Sequence, residues 1–132
     1  MKSGYFKSFD QGELLYRVWN YQAGQRALVV LHRGHEHSER LQEMATDPQF
    51  ADHSIFAFDL RGHGYTKEPV SPIFMDYVRD LDSFVHYIGH EYLVDSKDIF
   101  VIANSIAGLV VSAWVHDFAP KVAGIALLAP AF

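Results

Sequence analysis

Cysteine is absent from all 132 residues. That excludes disulfide bonds, a thiolate nucleophile and any cysteine-ligated zinc. Basic residues are few: 11 Lys and Arg stand against 16 Asp and Glu, a formal net charge of −5, and no basic block occurs. Nucleic acid is not an expected partner for such a chain. No apolar run approaches the roughly 18 residues of a membrane span, and the opening MKSGYFKSFDQGE has no apolar signal-peptide core. A cytoplasmic location, with no integral membrane segment, is the expectation. Internal repeats, low-complexity tracts and Pro/Gly/Ser linkers are also missing, so residues 1–132 read as a single domain. What is present is ordinary for a globular protein, with 49% hydrophobic and 20% charged residues, enough to build a core.

Short apolar runs alternate with helical patterns. Glu13–Trp19 (ELLYRVW) reads as a strand after a turn at Asp10–Gly12. Ala27–Leu31 (ALVVL), Ile55–Leu60 (IFAFDL), Ile99–Ala103 (IFVIA) and Val122–Leu128 (VAGIALL) read as strands, apolar enough to be covered on both faces. Between them, Ser38–Phe50 carries Leu41, Met44 and Ala45 on one side. Ile73–Tyr92 places Ile73, Tyr77, Leu81, Phe84, Val85, Ile88 and Tyr92 at helical steps behind a start signal at Ser71 and Pro72, with Asp76, Arg79, Asp80 and Asp82 largely between them. Ile106–Phe118 carries a stripe of Leu109, Val110, Ala113, Trp114 and Phe118. Such alternation predicts an α/β three-layer sandwich, a mostly parallel sheet with helices on both faces. Ligands bind such sheets at the carboxyl ends of the strands. The loops after Leu31, Leu60 and Ala103 therefore draw the attention.

After Ala103 the chain reads ANSIAG: a strand, a small-residue turn holding Ser105, then a helix. A nucleophile elbow needs small residues two before and two after its serine, and Ala103 and Ala107 supply them as A-x-S-x-A. The bland alternative makes Ser105 an N-cap, a position serine favours anyway. After Leu31 the chain reads HRGHEHSER, with His32, His35 and His37 close enough to raise a metallohydrolase as an alternative. That alternative leaves the other motifs unexplained. After Phe58 comes DLRGHG, where Asp59 and Arg61 are expected to brace a glycine turn by charge-assisted hydrogen bonds to backbone. His63 has a place on the rim. GHGYTK lacks the spacing of a phosphate loop.

In this order HRGHEHSER, DLRGHG and ANSIAG resemble the α/β-hydrolase superfamily, and more narrowly its serine hydrolase branch of monoacylglycerol lipases and lysophospholipases. The patterns of that branch are H-G-x-G-E-H-S-x-R, D-x-R-G-H-G and G-H-S-M-G-G. The likeness covers nearly the whole chain but only the N-terminal half of such a domain, so residues 1–132 are expected to be an incomplete one. A similarity to bacterial chains in which a hydrolase module precedes a methyltransferase module also suggests itself. The resemblance implies an acyl-enzyme on Ser105, oxyanion donors at the N–H groups of Ile106 and Gly34, and no cofactor or metal. Loop-shaping roles fall to His32, Arg33, Glu36, His37, Asp59 and Arg61, with Ser38 and Arg40 beside them. Arg33, His35 and the two elbow alanines stand where the branch has glycine. The triad Asp and His are not provided here: His116 and Asp117 fall about 16 Å along the helix from Ser105 at 1.5 Å per residue. The chain alone is thus expected to be inactive on its substrate, a carboxylic ester such as a lysophospholipid or monoacylglycerol. A non-catalytic hydrolase-like binding module is the alternative. The last strand is expected to be an exposed edge, covered in a homo-oligomer or by the remainder of a longer chain.

Overall fold

The computed structural model describes residues 1–32, 41–64 and 66–128. Six strands form one sheet: β1 (Lys2–Lys7), β2 (Glu13–Trp19), β3 (Ala27–Leu31), β4 (Ser54–Phe58), β5 (Ile99–Asn104) and β6 (Gly124–Leu128). Their spatial order is β1-β2-β4-β3-β5-β6. The pairs β3–β4, β3–β5 and β5–β6 are parallel, whereas β1–β2 and β2–β4 are antiparallel. Strand β1 was not anticipated from the sequence. Its pattern exposes four of its six residues, so it lacks the apolar run that marks the central strands. The chain turns from β1 to β2 through Ser8–Gly12, where Ser8 N–H donates to Gly12 O at 2.8 Å and Gly12 N–H to the Asp10 carboxylate at 2.9 Å.

Among the described residues three helices pack on this sheet: α1 (Gln42–Ala45), α2 (Phe74–Glu91) and α3 (Ala107–Phe118). From β3 the chain passes through α1 to β4 on one side of β3. From β4 it passes through α2 to β5 on the other side. Parallel crossovers are right-handed, so reversing direction must move the helix to the opposite face. The core divides accordingly. Leu41 and Ala45 join Trp19, Leu28, Val30, Ile55 and Ala57 on one face. Leu81, Phe84, Ile88, Val110 and Trp114 join Val29, Leu31, Phe56, Phe58 and Val101 on the other. Between β3 and β5 the connections diverge, and the crevice at their carboxyl ends is the place where such sheets bind ligands.

Two details of the helices depart from the expected stripes. Ile73 is the exposed N-cap of α2 rather than part of its buried face, and Val78 takes a core position. Phe118 ends α3 exposed, while Val111 is fully buried. The expected helix across Ser38–Phe50 is shorter among the described residues, four residues of α1 and then a 3₁₀ turn at Pro48–Phe50.

Candidate active site

The elbow is built by the end of β5 and the start of α3. Ser105 sits between them with φ +54°, a left-handed conformation rare for a residue with a side chain. Its N–H donates to Leu128 O at 3.0 Å, extending the β5–β6 ladder by one bond, and its carbonyl accepts from Gly108 N–H at 2.9 Å. The strained residue is thus clamped on both sides. Ala103 and Ala107 are fully buried, so the small flanks are a packing requirement of the turn. Ser105 is not an N-cap. Ile106 takes that position, without a side-chain cap bond. At the N-cap, the Ile106 N–H precedes the first hydrogen-bonded turn of α3, one of the donors a helix start leaves for a ligand. The Ile106 side chain is exposed.

Across the crevice stands His32, the residue after β3. Leu31 lies opposite Ala103 in the parallel register, so His32 is level with Asn104, one residue before Ser105. Strands in a sheet are about 4.8 Å apart, which makes His32 an immediate neighbour of the elbow. It is fully buried, and its Nε2 accepts the Leu60 N–H at 2.9 Å. A backbone amide can only donate, so the Nε2 lone pair is committed and a neutral ring carries its proton on Nδ1. Gly34, Arg33, Glu36 and His37, with His35, Ser38 and Arg40, lie outside the described residues. The oxyanion donor Gly34 lies outside them, as do His35 and His37, two of the three histidines of the metal alternative.

The turn after β4 completes the rim. Asp59 is fully buried, its N–H donates to Leu15 O at 2.9 Å, and its carbonyl accepts from Thr66 Oγ1 at 2.9 Å. Gly62 has φ +76°, and a Cβ there would lie 2.1 Å from Val70 Cγ2, so glycine is demanded twice over. His63 Nδ1 donates to Arg61 O at 2.9 Å, and the ring lies 5.3 Å from that of His32.

Arg61 is expected from the sequence to brace this turn through backbone; among the described residues its guanidinium is buried and hydrogen-bonded to carboxylates. Nε donates to Asp80 Oδ2 at 2.7 Å, and Nη2 to Asp80 Oδ1 at 2.8 Å and Asp10 Oδ1 at 2.9 Å. Five donors in a fixed fork suit a bidentate carboxylate better than scattered carbonyls. Asp80 is itself fully buried and takes a further hydrogen bond from Ser8 Oγ. Burial pushes the Asp80 carboxyl up against the opposing pull of Arg61 and Ser8. The Asp10 carboxyl is held below its ordinary value, chiefly by the Arg61 hydrogen bond, and Arg61 is driven further toward the charged form, chiefly by Asp80. The sequence reading missed Asp80 as a site residue. It lies three after Tyr77 and four before Phe84, on the apolar side of α2, and an acid there was the available signal.

His116 and Asp117 sit in the last turn of α3, exposed and hydrogen-bonded to each other at 2.8 Å, at the far end of the helix from Ser105.

With a strained serine at a strand-to-helix turn, beside the switch point of the sheet, the comparison with known proteins becomes specific. Residues 22–132 match the model of the family Hydrolase_4, "Serine aminopeptidase, S33". The chain belongs to this family, within the α/β-hydrolase superfamily. It is 39% identical over 132 residues to the uncharacterized protein YnbC of Escherichia coli K12, covering 97% of this chain and 23% of that protein. A thioesterase domain from the curacin biosynthetic pathway superposes with a TM-score of 0.81 at 15% identity, covering 98% of this chain and 46% of that one. A putative aryl esterase from Burkholderia cenocepacia gives 0.81 at 16% identity, with 98% and 47% covered. At these identities the structures show the shared α/β-hydrolase fold. The chain spans less than half of each of these structures and about a quarter of YnbC.

Proposed function

We propose that this chain carries the nucleophile half of a serine hydrolase that cleaves carboxylic esters. The observation behind the reading is the φ of +54° at Ser105, held between buried Ala103 and Ala107 at the carboxyl end of β5. A non-glycine residue is kept in such a conformation where the surrounding structure over-determines it, and such strain gathers at reactive sites. In this reading Ser105 Oγ attacks the ester carbonyl and passes its proton to a histidine base. The Ile106 N–H and the Gly34 N–H hold the oxyanion, and α3 directs its positive end at the developing charge. The tetrahedral intermediate then collapses, the C–O bond to the alcohol breaks as the histidine returns the proton to that oxygen, and the acyl group remains on Ser105 until water releases it as the carboxylic acid.

The base and its orienting acid come from sequence outside residues 1–132, in keeping with relatives more than twice as long. A second module in such a longer chain, a methyltransferase by resemblance, belongs to the same proposal, as does a cytoplasmic location. Strand β6 stands at the edge of the described sheet, and in this reading the rest of the chain or a second copy pairs with it.

The substrate class is a monoacylglycerol or lysophospholipid. Thioesterase, aryl esterase and carboxyl esterase among the structural neighbours support acyl transfer from oxygen or sulfur, whereas the family's description names an aminopeptidase. The deciding experiment offers the complete natural protein a monoacylglycerol, a lysophospholipid and an aminoacyl amide, each beside Ser105→Ala. Ester cleavage that disappears in Ser105→Ala supports the proposal, and amide cleavage alone transfers it to peptides. Absence of turnover on all three favours the second reading, a non-catalytic binding module, for which the alanine-flanked elbow is the motivating observation.

A further inference from the structure

We infer that Asp80, acting through Arg61, is a positioning residue for the reactive rim, an inference that rests on the hydrolase reading of Ser105. Asp80 comes from α2, yet both of its oxygens are spent on other segments: Arg61 after β4, by two bonds of 2.7 and 2.8 Å, and Ser8 in the β1–β2 turn. Arg61 reaches Asp10 of that same turn at 2.9 Å and lies over the Phe9 ring at 5.3 Å. Two buried charges are a poor means of gaining stability, because their desolvation offsets most of their attraction. What a bidentate pair fixes well is direction.

That direction leads to the elbow. The Arg61 carbonyl orients His63 through its Nδ1–H at 2.9 Å, and the His63 ring packs on His32 at 5.3 Å. His32 takes the Leu60 N–H at 2.9 Å, and the strand register sets it beside Asn104. The Asp80–Arg61 pair is therefore linked, by way of the turn at 60–63, to His32, the wall of the crevice beside the elbow. Neither residue touches the reacting atoms. Each acts by holding the turn at 60–63, on which the His32 ring beside the elbow is seated.

The test measures modification of Ser105 by a fluorophosphonate probe in the complete natural protein, separating the maximal rate from the probe concentration at half-saturation. Variants are Asp80→Asn, Arg61→Lys, Ser8→Ala and, as a packing control on the same helix, Val85→Ala. A displacement of about an ångström at a reacting centre can cost about a hundredfold, so Asp80→Asn and Arg61→Lys are expected to lower the maximal rate about tenfold or more. Half-saturation should stay unchanged, and Val85→Ala should lose stability while reacting at the wild-type rate. Where Asp80→Asn does not fold, Arg61→Lys keeps the charge and loses the fork, and Ser8→Ala removes one bond, so these two carry the comparison. Folded Asp80→Asn and Arg61→Lys reacting at the wild-type maximal rate would overturn the inference, as would equal slowing in Val85→Ala. A wild-type protein that never reacts overturns the hydrolase reading itself, a distinct outcome.

Discussion

Ser105→Gly is expected to raise the melting temperature relative to Ser105→Ala, because both remove the hydroxyl but only glycine relieves the backbone. A left-handed conformation costs an L-residue about 1–2 kcal/mol. Glycine loses about 0.5–1 kcal/mol more chain entropy on folding than alanine does. The difference leaves Ser105→Gly more stable by about 0.5–1 kcal/mol, or roughly 2–5 °C for a domain of this size. Ala119, the C-cap of α3 at φ +44°, provides the control: Ala119→Gly should give a similar rise without altering Ser105 chemistry. Thermal unfolding followed by circular dichroism reads both. A Ser105→Gly variant less stable than Ser105→Ala, alongside the expected rise in Ala119→Gly, would refute the strained elbow.

Other expectations follow from the same geometry. Gly62→Ala would place a Cβ 2.1 Å from Val70 Cγ2 and 2.8 Å from its N at φ +76°, and should destabilise by at least about 2 kcal/mol in urea unfolding. A stable Gly62→Ala would mean that the turn is not held as described. The lowered Asp10 pKa contributes stability that is present above the ordinary carboxylate range and lost as pH falls through the folded value. Asp10→Asn should therefore flatten the acid limb of a stability-against-pH curve, and an unchanged limb would contradict the Arg61 contact. Tyr87 and Tyr92 are raised, first by burial and then by their hydrogen bonds to Tyr16. The folded state retains those protons, so stability is full below the unfolded tyrosine value near ~10 and declines as pH rises past it. Tyr87→Phe should reduce that alkaline decline; a steeper one would count against it.

The central strands and long helices were legible because burial on two faces leaves unbroken apolar runs, and a half-buried helix leaves a stripe. ALVVL of β3 and IFAF of β4 show the first, and Leu81, Phe84 and Ile88 the second, whereas IFVIA of β5 is apolar although Phe100 is exposed. Strand β1 was not legible, since an edge strand with one buried phenylalanine offers no period to read. The elbow could be located from Ala103, Ser105 and Ala107, because its steric demand is local. Arg61 could be singled out but its partners could not. They are 19 and 51 residues away along the chain, and only the packing of α2 and the β1–β2 turn brings them together. Asp80 looked like one more solvated charge among Asp76, Arg79 and Asp82, although its spacing to Tyr77 and Phe84 already put it on the inner side.

The most direct test of Ser105 as nucleophile is intact-mass analysis of the complete natural protein after exposure to a fluorophosphonate, followed by peptide mapping. A single phosphonyl adduct on Ser105, lost in Ser105→Ala, is the predicted result. No adduct on the folded protein, or an adduct on another residue that persists in Ser105→Ala, would contradict it.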